Sequence, residues 1–134
     1  MKDNEPKLNQ TERFISLTEE IVKQLQNTPT EFKGIVTTIT RKDLEGGTRA
    51  LYLGSDGKWS GRTQMMGYPL SDTDSVISEY ASINDRDYQN LEQSKDWTAS
   101  ETKRQNYIQK NKKRLFNGLL TEMESTLQRL QTKN

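Results

Sequence analysis

Phe116, Leu120, Met123, Leu127 and Leu130 recur at intervals of four, three, four and three residues. At about 100° per residue these intervals place all five side chains on one stripe of an α-helix, and a chain with such a stripe must cover it with apolar surface. Ile108, Leu115 and Leu119 extend the pattern, with Tyr107 beside it. Thr98 and Glu101 fit the capping box that satisfies free backbone N–H groups at a helix start. The spacing therefore predicts one helix over residues 99–131, about 50 Å long at its rise per residue. Gly118 falls inside it, at a cost of about 1 kcal/mol relative to alanine, and so marks a bend or a close contact. The stripe covers about two heptads, too few for a coiled coil, so a core-facing helix is the first expectation. A homodimer seam through Phe116, Leu120, Met123, Leu127 and Leu130 is the second.

That stripe has little else to pack on. Hydrophobic residues make up 30% of the 134, charged residues 29%, and mean hydropathy is −1.01. Burial must offset a backbone entropy cost of order 1–2 kcal/mol per residue, which predicts a thin core and a partner covering part of the surface. The chain contains no cysteine and no histidine. Disulfides, thiol catalysis and Cys- or His-based metal sites are therefore excluded, together with the commonest general base. No cofactor is expected. A net charge of +1 does not by itself indicate nucleic acid. The polar start, Met1 to Pro6, and the lack of a long apolar run predict no membrane span and a cytoplasmic protein.

Length and continuity predict a loose tail over residues 1–8 and a single α+β domain over 9–134. Asn9 to Glu12 caps a first helix whose face carries Phe14, Ile15, Leu17, Ile21, Val22 and Leu25, and Thr28-Pro29 stops it. Residues 32–40 are rich in β-branched side chains and read as a strand, Gly46-Gly47 as a turn, and residues 48–53 as a second strand. Asp56-Gly57 signals a hairpin. Trp59 begins a third strand, extending at most to Met66, with Gly67 and Pro69 ending it. Residues 71–74 are dense in capping types before a helix that turns Val76, Ile77, Tyr80 and Ile83 inward, and a short helix carries Tyr88 and Leu91. The expected architecture is an N-terminal helix, a small antiparallel sheet of two or three strands, then helices ending in a long C-terminal one. All the helices pack on one sheet face.

Two opposite charge blocks adjoin. Residues 102–114 hold six bases and no acid, and residues 71–101 hold eight acids against two bases. Bases in the first half of a helix oppose its dipole, which makes sense where an anion sits. Lys103, Arg104, Lys110, Lys113 and Arg114, with Tyr107 to stack, form a candidate nucleic-acid surface. The bland counterpart is pairing between the two blocks. Asp72, Asp74, Glu79, Asp85 and Asp87 match no calcium loop and read as helix caps, and the clustered glycines match no phosphate loop.

The leading expectation is a non-enzymatic protein that recognises another protein, in an inhibitor, immunity-type or adaptor role. Its surface is the hairpin bearing Trp59, Arg62, Met65, Met66 and Tyr68, where soft and aromatic side chains suit contact. The alternative is nucleic-acid binding through the basic face, and a third is an enzyme using carboxylate, lysine or tyrosine chemistry.

Overall fold

A computed structural model describes residues 9–27, 34–40, 47–63, 66–93 and 96–132. The expected tail at 1–8, the start of the first expected strand at 32–33, Gly46 and Met65 lie outside them. Helix α1 (Gln10–Asn27) precedes strands β1 (Ile35–Thr40), β2 (Thr48–Leu53), β3 (Trp59–Thr63) and β4 (Gly67–Leu70). Helices α2 (Thr73–Asn84), α3 (Arg86–Glu92), α4 (Trp97–Lys110) and α5 (Lys112–Gln131) follow. The class is α+β as expected, but the sheet has four antiparallel strands in the order β1-β2-β3-β4, not two or three. Gly67 and Pro69 belong to the added strand rather than ending the previous one. An edge strand tolerates proline because its missing N–H is needed only on the side of a neighbour. The hairpin closes through Thr63 N–H to Met66 O (2.8 Å) and Met66 N–H to Thr63 Oγ1 (3.1 Å).

The long C-terminal helix is also divided. Asn111 ends α4 by donating its backbone N–H (3.0 Å) and its Nδ2 (2.9 Å) to Tyr107 O, and α5 begins at the next residue. A short amide side chain that bonds to nearby backbone competes with helix propagation. At the other end, Asp96 caps α4 by accepting from Ala99 N–H at 3.1 Å, in place of the expected Thr98–Glu101 box. Among the described side chains of α4 the buried apolar one is Ile108, and the stripe proper belongs to α5.

That stripe is spent inside the chain. Phe116, Leu120, Met123, Leu127 and Leu130 are buried against Phe14, Leu17, Ile21 and Leu25 of α1 and the inner face of the sheet, so they form no dimer seam. Phe14 sits at the junction, stacked on Trp59 and edge-on to Phe116, both at 5.6 Å between ring centroids. Ile15 falls on the outer side of α1, 52% exposed, although the sequence grouped it with the core residues. Gln10 Nε2 ties the two helix starts together by donating to Lys113 O and Asn117 Oδ1, each at 2.8 Å. Helix α2 lies across all four strands and α5 along β1, and among the described residues no helix covers the other sheet face.

Gly118 marks a close contact. A Cβ there would strike the hydroxyl end of Tyr80, through which α2 meets α5. Gly118→Ala should therefore lower stability by about 1–3 kcal/mol through overpacking, despite about 1 kcal/mol of helix propensity gained. Urea unfolding reads the difference, and Tyr80→Phe in the same background should recover part of it. A rise in midpoint for the single variant would contradict this packing.

Candidate functional site

The sheet alternates, and the alternation divides the expected binding patch. Register places Leu53, Trp59 and Leu70 on one row facing the helices, with Leu51, Gly61 and Tyr68 on the next. Trp59 is buried and stacked on Phe14, so it is a core residue and not a surface anchor. Tyr68 also turns inward, where its hydroxyl donates to Glu79 Oε2 at 2.7 Å. Its ring crosses Gly61, where any Cβ would collide with the ring and with the Glu79 carboxylate. Arg62 points the opposite way and is exposed, and Met66, 62% exposed, stands at the hairpin tip. The patch thus keeps Arg62 and Met66 exposed, holds Tyr68 half-buried with its hydroxyl turned inward, and gives Trp59 up to the core.

On the uncovered face two rows run across the strands. One is Thr38, Ala50, Arg62 and Gly67; the next is Ile35, Tyr52, Ser60 and Pro69. The Arg62 guanidinium carbon sits 3.8 Å from the Tyr52 ring centroid, a diagonal cation–π pair. A shallow hollow of about 790 Å³ opens beside it, lined by Tyr52, Lys58, Ser60, Arg62, Met66 and Pro69 among others. Tyr52 was missed from sequence, and the signal for it was available. It lies at an even position in a strand whose odd positions, Leu51 and Leu53, are the larger aliphatic side chains.

Between sheet and α2 lies a charged layer. Arg49 forms a two-pronged bond to Glu79, Nε to Oε2 at 2.9 Å and Nη2 to Oε1 at 3.1 Å, and reaches Glu92 Oε2 at 3.4 Å. Ser82 Oγ donates to the same Glu92 oxygen at 2.5 Å. Burial would lower the Arg49 pKa, but the hydrogen bond and charge of Glu79, then Tyr68 and Glu92, outweigh it and hold the guanidinium ionised. Burial, followed by the bond to Glu79, pushes the Tyr68 phenol up to about 12, so it remains a donor. A cleft of about 590 Å³ between α2 and α4 opens onto this layer. Of the charged groups lining it, Arg49, Glu79 and Glu92 are bonded to one another, and Ser82 is 2% exposed. Glu79→Gln should cost about 3 kcal/mol, because it replaces the two-pronged counter-charge of Arg49 with a neutral amide and leaves only the longer contact to Glu92. Replacing both partners, with Arg49→Met and Glu79→Leu, should recover most of that loss in urea unfolding. A single-variant loss near zero would show that the pair contributes nothing.

The basic block meets the acidic block of its own chain. Lys112 Nζ lies 2.9 Å from Asp74 Oδ1, and Arg114 Nη1 lies 3.1 Å from Asp85 Oδ1. Tyr107 donates its hydroxyl to Asp85 Oδ2 at 2.6 Å and accepts from Arg114 Nη2 at 2.8 Å, while its ring packs against Tyr88. That leaves Tyr107 poorly placed to stack on a base. Arg104 bonds Ser100 Oγ at 3.3 Å. Lys103, Lys110 and Lys113 are exposed, and Lys110, Lys113 and Arg114 line a hollow of about 470 Å³ where α4 gives way to α5. The basic candidates are thus split between two helices rather than aligned on one.

Asp85 also caps α3, accepting from Tyr88 N–H at 3.1 Å. Burial would raise its pKa, but the Tyr107 hydroxyl, the Tyr88 N–H and Arg114 outweigh burial and hold it below the ordinary carboxylate value. A depressed folded pKa gives stability that is present above the unfolded value and lost as pH falls through the folded one. Asp85→Asn should cost about 1 kcal/mol at neutral pH, since asparagine still caps and the Arg114 end of the ion pair is exposed to solvent. The gap to wild type should hold above about pH 5 and close below about pH 4. A gap unchanged down to about pH 2 would contradict this linkage.

Among the described residues no group of three acidic side chains is placed to hold a metal ion, and no helix is long and apolar enough to cross a membrane. No family model, curated protein or solved structure matches this chain.

Proposed function

We propose that this is a non-enzymatic recognition protein, of the inhibitor, immunity-type or adaptor kind, which binds another protein through the uncovered face of its sheet. A cytoplasmic setting is part of the proposal. The observation that carries it is a four-stranded sheet that, among the described residues, helices cover on one side, and whose other side presents Tyr52, Arg62 and Met66 around a hollow. Tyrosine and arginine are enriched among residues that dominate binding energy, and methionine adapts its shape to a partner. Contact area at a rigid sheet also costs little ordering on binding.

A second reading is polyanion binding at the hollow lined by Lys110, Lys113 and Arg114. It is the weaker of the two because Lys112 and Arg114 already pair with Asp74 and Asp85.

The test is quantitative capture of partners on immobilised protein, comparing Tyr52→Ala, Arg62→Ala and Met66→Glu with Lys103→Ala. The three sheet-face variants should each weaken the same partner by about tenfold or more, and the Lys103 variant should leave it unchanged. Partners held equally by all four variants would overturn the sheet-face reading.

A further inference from the structure

We infer that the Arg62–Tyr52 pair is a preformed receptor for a carboxylate, and that the partner on this face is an acidic segment of protein. This rests on the sheet-face reading above and adds the chemistry of what is recognised.

Arg62 is held but not neutralised. Its guanidinium lies over the Tyr52 ring at 3.8 Å, and no described carboxylate forms an ion pair with it. Stacking on an aromatic face uses the plane of the guanidinium and leaves its N–H edge for a bidentate acceptor. The register keeps that edge accessible. The cross-strand neighbours of Arg62 are Ala50 on β2 and Gly67 on β4, and neither carries a side chain that could cover it. Arg62 is thus a fixed cation in a gap between small residues, with Tyr52, Ser60 and Pro69 forming the next row.

The surroundings favour an anion. Lys58 lines the same hollow, and its acidic lining residue, Asp56, has Oδ1 occupied by the Lys58 backbone N–H at 3.0 Å. Met66 and Pro69 add apolar margin on the β4 side. A cation with two donors in a row, flanked by small and apolar surface, matches a single aspartate or glutamate side chain carried on an extended strand. Nucleic acid fits less well. Base stacking needs a bare aromatic face, and the guanidinium already occupies that of Tyr52. The contrast with Arg49 is informative: there the same fork is closed by Glu79 of the chain itself, whereas on the outer face that acceptor is left to the partner.

The experiment is a titration of ¹⁵N-labelled protein with a capped hexapeptide of alternating glutamate and valine. Its glutamine–valine counterpart and a short oligothymidine are run as separate probes. The acidic peptide should shift the amides of Tyr52, Ser60 and Arg62 and bind about tenfold tighter than the glutamine peptide. Arg62→Gln should abolish that preference while leaving the rest of the spectrum in place. Tyr52→Phe should preserve the preference, and Tyr52→Ala should weaken it. Equal binding of both peptides at the sheet would overturn the carboxylate receptor and leave the sheet-face reading standing. Equal or tighter binding of oligothymidine at these amides would also overturn it, as a general polyanion site. No shift on this face with any probe, or shifts confined to α4 and α5, would count against both.

Discussion

A guanidinium cannot be enclosed between a sheet and a helix unless its charge is met there, and in this chain that requirement decides how α2 lies. Arg49 stands on the inner face of the second strand, and Glu79 is the carboxylate that closes its fork. The two-pronged geometry fixes distance and angle together. Tyr68 bonds the same carboxylate from the edge strand, and its ring needs the space left by Gly61, so three strands and one helix are referred to a single buried group. Such a pair adds little net stability over a well-packed apolar substitute, but breaking one half is expensive. Its effect here is on register: slipping β2 by one residue would carry Arg49 to the outer face and expose the whole row.

Once α2 is set, the remaining layers follow. Tyr80 reaches α5 at Gly118, and α5 presents its stripe to α1 through Phe116 and Phe14. Asp85 closes the far end by joining the end of α2 and the start of α3 to Tyr107 on α4 and Arg114 on α5. Helix cover is used up on this side, and the opposite sheet face is left with threonines, Tyr52 and Arg62. The low apolar content has its counterpart here: among the described residues no helix covers this second face.

The charge blocks show how far local reading reaches. Six bases in a short run of sequence look like a surface for an anion, and the adjacent acids look like caps. Of the acids expected to cap, Asp72 and Asp85 do so, because a side-chain oxygen near free backbone N–H groups is a matter of a few residues. Asp74 and Glu79 instead pair with Lys112 and Arg49. Whether Lys112 and Arg114 serve an external anion or Asp74 and Asp85 depends on where α5 lies relative to α2 and α3, which no local pattern encodes. The same limit hid the inward turn of Glu79. A lone acid between apolar positions of a helix reads as solvent-facing until its partner on another element is known.

What the sequence determined by itself is what repeats or turns within a few residues. The α5 stripe, the buried face of α1 and the hairpin at Asp56-Gly57, where Gly57 has φ 82°, all follow from local periodicity or backbone sterics. Tertiary structure decided the rest. It made Gly67–Leu70 a fourth strand, since an edge accepts the proline that an interior strand refuses. It ended one helix at Asn111, sent Trp59 to the core, turned the half-buried Tyr68 towards Glu79 and left Arg62 outside on Tyr52. Each of those outcomes turns on which non-local neighbour supplies a hydrogen bond, a counter-charge or a packing surface, and that neighbour is known only when the layers have come together.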